Sequence, residues 1–176
     1  MTRLFLAAIV ALSLAGCARQ QFDRSGDGFG PGGAGLGAGA GAGAFGALGD
    51  PSNPTSPAYF QARIGDRVLF AVDESTVSTE GRATLDGQAQ WLLANPSYAA
   101  TIEGHADEQG TREYNLALGG RRANAVRDYL ITRGVPAGRL QTISYGKERP
   151  IEVCSDEACY SRNRRAVTVL APAAGA

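Results

Sequence analysis

The sequence predicts an α+β fold, a two-layer β-α-β-α-β-β sandwich preceded by a disordered Gly/Ala-rich tether. Three observations carry the prediction. Short apolar runs bounded by turn residues recur at four places after Asp66. Two longer segments repeat apolar residues at helical spacing and stop at proline or glycine. Upstream of all these, twelve of the 24 residues from Gly26 to Gly49 are glycine. Strands alternating with helices imply right-handed crossovers, with both helices on one face of the sheet.

The elements follow in order. Arg67-Val68-Leu69-Phe70-Ala71-Val72 reads as a buried strand. Ser78 can cap a helix whose Leu85, Ala89, Leu92 and Leu93 fall on one face, and Pro96 ends it. Ala99 to Gly104 is a second strand. Thr111 opens a second helix with Tyr114, Leu118, Ala125 and Tyr129 along one side. Gly134 closes that helix and Pro136 prevents it from resuming. Leu140 to Tyr145 and Ala166 to Leu170 complete the sheet. The expected domain runs over residues 57–171, with 172–176 as a tail.

The stretch before the domain is read by composition. Met1-Thr2-Arg3 carries one positive charge, and Leu4 to Leu14 is apolar or small throughout. Such a stretch is too short for a bilayer, which needs roughly 20 residues, and suits a cleaved export signal over 1–16. Leu14-Ala15-Gly16-Cys17 resembles the lipobox of bacterial lipoproteins. That resemblance implies lipidation at Cys17, and Ala18 after it implies transport to the outer membrane. Residues 17–56 then form a linker, since a Gly/Ala run has no apolar face and a high backbone entropy. As a flexible coil it spans roughly 35 Å r.m.s..

Charge excludes one class of partner. Lys and Arg number 17, as do Asp and Glu, and residues 57–171 hold 14 of each. A balanced domain offers no electrostatic footprint for nucleic acid. With Cys17 assigned to lipid, Cys154 and Cys159 remain, an even pair that favours a disulfide in an exported protein. Two free thiols or a metal site are the alternatives. Two cysteines with no nearby histidine make a poor zinc site, and no cofactor is called for.

The chemistry concentrates in Gly104-His105-Ala106-Asp107-Glu108-Gln109-Gly110, Tyr114-Asn115-Leu116-Ala117-Leu118 and Arg121-Arg122-Ala123. A strand ends in an acidic, glycine-bounded loop that feeds a helix bearing an arginine pair. A loop followed by a helix can fold Asp107 and Arg122 to flank one pocket. A carboxylate and a guanidinium sharing a pocket suit a ligand with both an ammonium and a carboxylate. Arg122 lies four residues beyond Leu118, so one wall can hold both; Arg121 then faces the surface or a partner. His105, the only histidine, has neither a nucleophile nor metal-ligating companions, so it reads as structural or pocket-lining.

These runs resemble the OmpA-like C-terminal domain family and, within it, the peptidoglycan-associated lipoprotein branch. The pattern G-H-x-D-x-x-G-x-x-x-Y-N-x-x-L-x-x-x-R-A is met throughout. Tyr145-Gly146-Lys147-Glu148-Arg149-Pro150 and Ser161-Arg162-Asn163-Arg164-Arg165-Ala166-Val167 also fit. The resemblance implies an OmpA-like fold without enzymatic activity, and Asp107 and Arg122 holding the diaminopimelate of the peptidoglycan stem peptide. The F-x-F-D segment corresponds to Phe70-Ala71-Val72-Asp73. Asp73 therefore carries over to the pocket or else only fixes the turn into Glu74-Ser75-Thr76, and Val72 replaces an aromatic or leucine. Implied partners are peptidoglycan, TolB with other Tol proteins, and the outer membrane through a lipid anchor, in support of envelope constriction at division. Two other readings compete: an OmpA-like wall-binding lipoprotein without Tol partners, and a wall hydrolase using His105 with Asp107 or Glu103. The Arg162-Asn163-Arg164-Arg165 cluster is either fold support or a glycan contact.

Overall fold

The computed structural model describes residues 48–153 and 155–173. The signal segment, Cys17, the Gly/Ala run up to residue 47, Cys154 and residues 174–176 lie outside the described residues. The elements are α1 (Pro57–Tyr59), continued by a π-helical stretch Phe60–Gly65, then β1 (Arg67–Leu69), α2 (Thr79–Ala94) and β2 (Tyr98–His105). There follow α3 (Arg112–Thr132), β3 (Leu140–Gly146), α4 (Glu157–Asn163) and β4 (Arg165–Pro172). The sheet order is β1-β4-β2-β3, with β2 and β3 parallel and β4 antiparallel to both of its neighbours. The α+β two-layer expectation holds, with two helices, α1 and α4, added to the two expected.

The caps form where the side chains predict them. Ser78 Oγ accepts from Gly81 N at 3.0 Å, and Thr111 Oγ1 accepts from Tyr114 N at 3.2 Å. Each satisfies a donor that the first helical turn leaves unpaired. Val68, Ala100, Ile102, Leu140 and Ala166 are buried with Leu85, Ala89, Leu92, Ala123, Val126 and Leu130. Phe60, Trp91 and Tyr98 stack at one end of this core, with centroids 5.0 and 5.3 Å apart. Helix α3 lies unusually close to β2: a Cβ on Gly104 would sit 1.8 Å from the Gly119 carbonyl oxygen. Only paired glycines permit that approach, and it brings α3 to the end of β2 where Asp107 begins.

Several expectations are corrected. The first strand is three residues long and buried only at Val68, not a buried run to Val72. Its continuation leaves the ladder because the Phe70 and Ala71 carbonyls turn to arginine side chains. Leu93 is 47% exposed and Tyr114 43%, so neither belongs to its helix's buried face. In α3 that face is Asn115, Leu118, Gly119, Arg122, Ala123, Val126 and Leu130. In α2, Gln88 takes a core place by bridging Gly65 O at 2.7 Å and Thr168 Oγ1 at 2.8 Å. Helix α4 was not expected; Asp156 caps it by accepting from Cys159 N at 3.0 Å.

Packing extends beyond the expected domain limits at both ends. Trp91 Nε1 donates to Pro54 O at 2.7 Å, and Ser56, read as linker, is 5% exposed. Ala173 N donates to Ser97 O at 2.7 Å.

Candidate functional site

Two loops and one helix face build a pocket of about 230 Å³. It is lined by Val72, Asp73, Asp107, Gln109, Gly110, Tyr114, Asn115, Leu118 and Arg122. All five predicted pocket residues, Val72, Asp73, Asp107, Leu118 and Arg122, therefore come together, although Asp73 and Asp107 belong to separate loops. A register shift between Gly104 and His105 against β3 ends the regular pairing just before Asp107. Such bulges re-aim the chain beside functional sites.

Arg122 is fully buried. Its Nε donates to Glu74 O at 2.7 Å, Nη1 to His105 O at 2.9 Å and Nη2 to Ala71 O at 3.1 Å. None of the ion pairs among the described residues involves it. Of its five N–H donors, two remain. Burial pulls its pKa down to about 10, against the pull of the Asp107 charge. The result is a fixed cation without a carboxylate partner. Arg121, its neighbour, is exposed as expected and lies 5.9 Å over the Tyr114 ring.

The acids occupy other walls. Asp107 is 7% exposed; its Oδ2 accepts from Arg164 Nη1 at 3.1 Å and its Oδ1 from Gln109 N at 3.3 Å. Asp73 has φ +60°, the only positive φ among the described non-glycine residues. Aspartate tolerates that left-handed backbone better than most residues, and such outliers concentrate at binding sites. Its carboxylate accepts from the Tyr114 hydroxyl, and that bond holds the Tyr114 pKa above its ordinary value. Leu118, 4% exposed, forms the apolar floor, and Val72, 58% exposed, the outer wall.

His105 does not line the pocket; only its carbonyl reaches the site, through Arg122. Its ring is 2% exposed, lies 5.5 Å from the Tyr145 ring and has no hydrogen-bond partner. Burial first, then the charges of Arg165 and Arg149, lower its pKa to about 4. A buried imidazole that does not line the pocket, and whose affinity for a proton is lowered, cannot serve it as a base. Among the described residues, no group of three or more His, Cys, Asp or Glu could hold a metal ion.

Sequence reasoning missed Asn115, which lines the pocket, and Arg164, which supports it without lining it. Asn115, whose Nδ2 donates to Gln109 O at 2.6 Å, shares its helix face with Leu118 and Arg122. The spacing of three and seven residues could have revealed it. Arg164 had no local signal, because its partner Asp107 is 57 residues away. It is buried, donates to both Glu157 carboxylate oxygens and from Nε to Phe70 O at 3.2 Å, as well as to Asp107. Burial works against its charge, but the bonds to Glu157 and Asp107 prevail and raise its pKa. Asn163 supports the same region: it accepts from Ile151 N at 2.8 Å and donates to Glu108 Oε2 at 3.3 Å. Fold support is thus visible for both residues. Cys159 is buried on α4.

The family model described as OmpA family matches residues 69–164, more than half of the chain. The chain belongs to the OmpA family. Among relatives of this OmpA-family chain is the peptidoglycan-associated lipoprotein of Rhizobium meliloti (strain 1021), 51% identical over 168 residues. That alignment covers 94% of this chain and 85% of the relative. The protein of the same name from Brucella melitensis is 50% identical over 167 residues, covering 94% and 89%. The crystal structure of the peptidoglycan-associated lipoprotein from Burkholderia pseudomallei superposes with a TM-score of 0.62 at 40% identity. It covers 69% of this chain and all of that one. The C-terminal domain of Helicobacter pylori MotB, with a TM-score of 0.57 at 20% identity, shares the fold alone. These matches agree with a binding module rather than a wall hydrolase.

Proposed function

We propose that this chain is an outer-membrane lipoprotein that grips peptidoglycan non-covalently through the diaminopimelate of the stem peptide. The observation that carries the reading is Arg122, a buried guanidinium with two spare donors and no carboxylate partner, in a pocket whose other walls bear Asp107 and Asp73. Meso-diaminopimelate ends in a free amino-acid group. Its carboxylate complements Arg122 and its ammonium complements the aspartates, with Leu118 beneath the methylene chain. Relatives sharing half of the sequence are named for association with peptidoglycan, which supports the same reading.

Lipidation at Cys17 after removal of residues 1–16, and a Cys154–Cys159 disulfide, belong to this proposal. So do a tether that starts at residue 17, ends before the packed Pro54 and lets the domain reach the wall, and partnership with TolB and other Tol proteins during envelope constriction. The test is sedimentation of the purified protein with sacculi, with and without soluble meso-diaminopimelate. Co-sedimentation that the free amino acid competes away is the expected result. Protein that stays in the supernatant at all concentrations overturns the proposal.

A further inference from the structure

We propose that Arg164 is a positioning residue for ligand recognition: it fixes Asp107 for the ligand's ammonium and clamps together the two loops that carry the pocket's acids. The inference rests on the proposed amino-acid ligand. Arg164 does not line the pocket, yet it is 4% exposed and its guanidinium bonds to three separate elements. Nη1 reaches Asp107 Oδ2 at 3.1 Å, on the loop after β2. Nε reaches Phe70 O at 3.2 Å, at the start of the loop that leads to Asp73. Two further bonds go to Glu157 in the first turn of α4.

The backbone of Arg164 adds to the clamp, since its carbonyl accepts from Phe70 N at 2.9 Å. One side chain and its carbonyl thus hold the loop from Phe70 to Asp73 against the loop that carries Asp107. A guanidinium suits this task because its planar fork satisfies several acceptors in fixed directions, which an ammonium cannot. The geometry also divides the two oxygens of Asp107. Oδ2 is engaged by Arg164 behind the pocket, whereas Oδ1 has only a long 3.3 Å bond from Gln109 N. Arg164 therefore occupies the rear oxygen, and the front oxygen remains available to an ammonium.

Arg164 accordingly acts through Asp107, and its loss is felt only by ligands with an ammonium to offer. The full-length chain is titrated by calorimetry with two stem peptides. One carries meso-diaminopimelate; the other carries 2-aminopimelate, which retains the terminal carboxylate but lacks the ammonium. Arg164→Gln is expected to weaken the diaminopimelate peptide about tenfold or more and to leave the 2-aminopimelate peptide unchanged. In an Asp107→Asn background the same substitution is expected to add less than it costs the parent, the remainder being its hold on the loop from Phe70 to Asp73. Arg164→Lys, which keeps the charge but not the fork, is expected to fall between parent and Gln. If Arg164→Gln does not fold, the Lys variant decides, because its loss must likewise shrink in the Asp107→Asn background. Equal weakening of both peptides, or a full additional loss on top of Asp107→Asn, overturns the inference. A parent chain that binds neither peptide overturns the ligand assignment itself, a separate failure.

Discussion

Two buried arginines stand on opposite sides of the pocket loops, and their surroundings differ in kind. Arg164 is neutralised by Asp107 and Glu157 and spends its donors inside the protein. Arg122 meets three backbone carbonyls and no carboxylate. A buried charge is costly unless it is paired. Arg165 is also buried without an ion pair among the described residues, but Arg122 lines the pocket and Arg165 does not. Arg122 therefore marks where an anion is expected from outside. Burial alone would have made the two look alike. The partner atoms separate a residue whose charge is met inside the protein from one whose charge is left for the proposed ligand.

The largest disturbance to this contrast is Arg122→Ala. It removes the candidate anion contact and also orphans the Glu74, His105 and Ala71 carbonyls, so peptidoglycan binding and stability should fall together. A loss of about 3–5 kcal/mol is expected, because three carbonyls are left unsatisfied at roughly 1–3 kcal/mol each, offset in part by relief of the buried charge, measured by denaturant unfolding beside sacculus sedimentation. Unchanged stability with lost binding would show that the three carbonyls find other donors.

His105 offers a way to add a charge next to the Arg122 anchor. Unfolded, its imidazole takes a proton near 6.5; folded, it resists until about 4. The unfolded state therefore binds more protons in that window, and stability should decline as pH falls from 6.5 toward 4. The contribution is on the order of 2–3 kcal/mol. The difference between parent and His105→Gln unfolding curves across that range isolates it, because the carboxylates titrate in both. Parallel curves would refute a neutral His105.

Asp107→Asn sharpens the comparison from the acidic side. It removes the charge offered to an ammonium and leaves Arg164 paired to Glu157 alone. Binding is expected to weaken ten- to a hundredfold, the equivalent of a charge-assisted bond worth about 1.5–3 kcal/mol, with the domain still folded. Calorimetric titration with the diaminopimelate peptide reads the effect, and parent-like affinity would detach Asp107 from the ligand.

The smallest effect belongs to Asp73→Gly. Glycine adopts φ +60° without strain, so the loss of the Tyr114 bond and the relief of backbone strain should nearly cancel, within about 1 kcal/mol of the parent. Thermal unfolding checks that balance. Ligand affinity should still drop, which separates Asp73 as a binding residue from Asp73 as a turn former.

The sequence by itself determined the elements that local chemistry controls. Ser78 and Thr111 as caps, Pro96 and Gly134 as stops, and the apolar runs of β2, β3 and β4 all depend on neighbours within one or two turns. The placement of Asp107 and Arg122 on one pocket was legible too, because one loop and one helix separate them, and Asp73 and Val72 were legible through the family motif. What the tertiary structure decided rests on contacts across long stretches of chain. The first strand stops at Leu69 because arginines 51 and 94 residues beyond their acceptors, Arg122 and Arg164, take the Ala71 and Phe70 carbonyls. Gln88 enters the core because Gly65 and Thr168 satisfy its amide. Arg164 becomes part of the site because α4 carries it behind Asp107. Such roles depend on which distant groups meet in a low-dielectric interior, where an unpaired polar atom costs more than a local preference can offset, and local spacing does not encode that meeting.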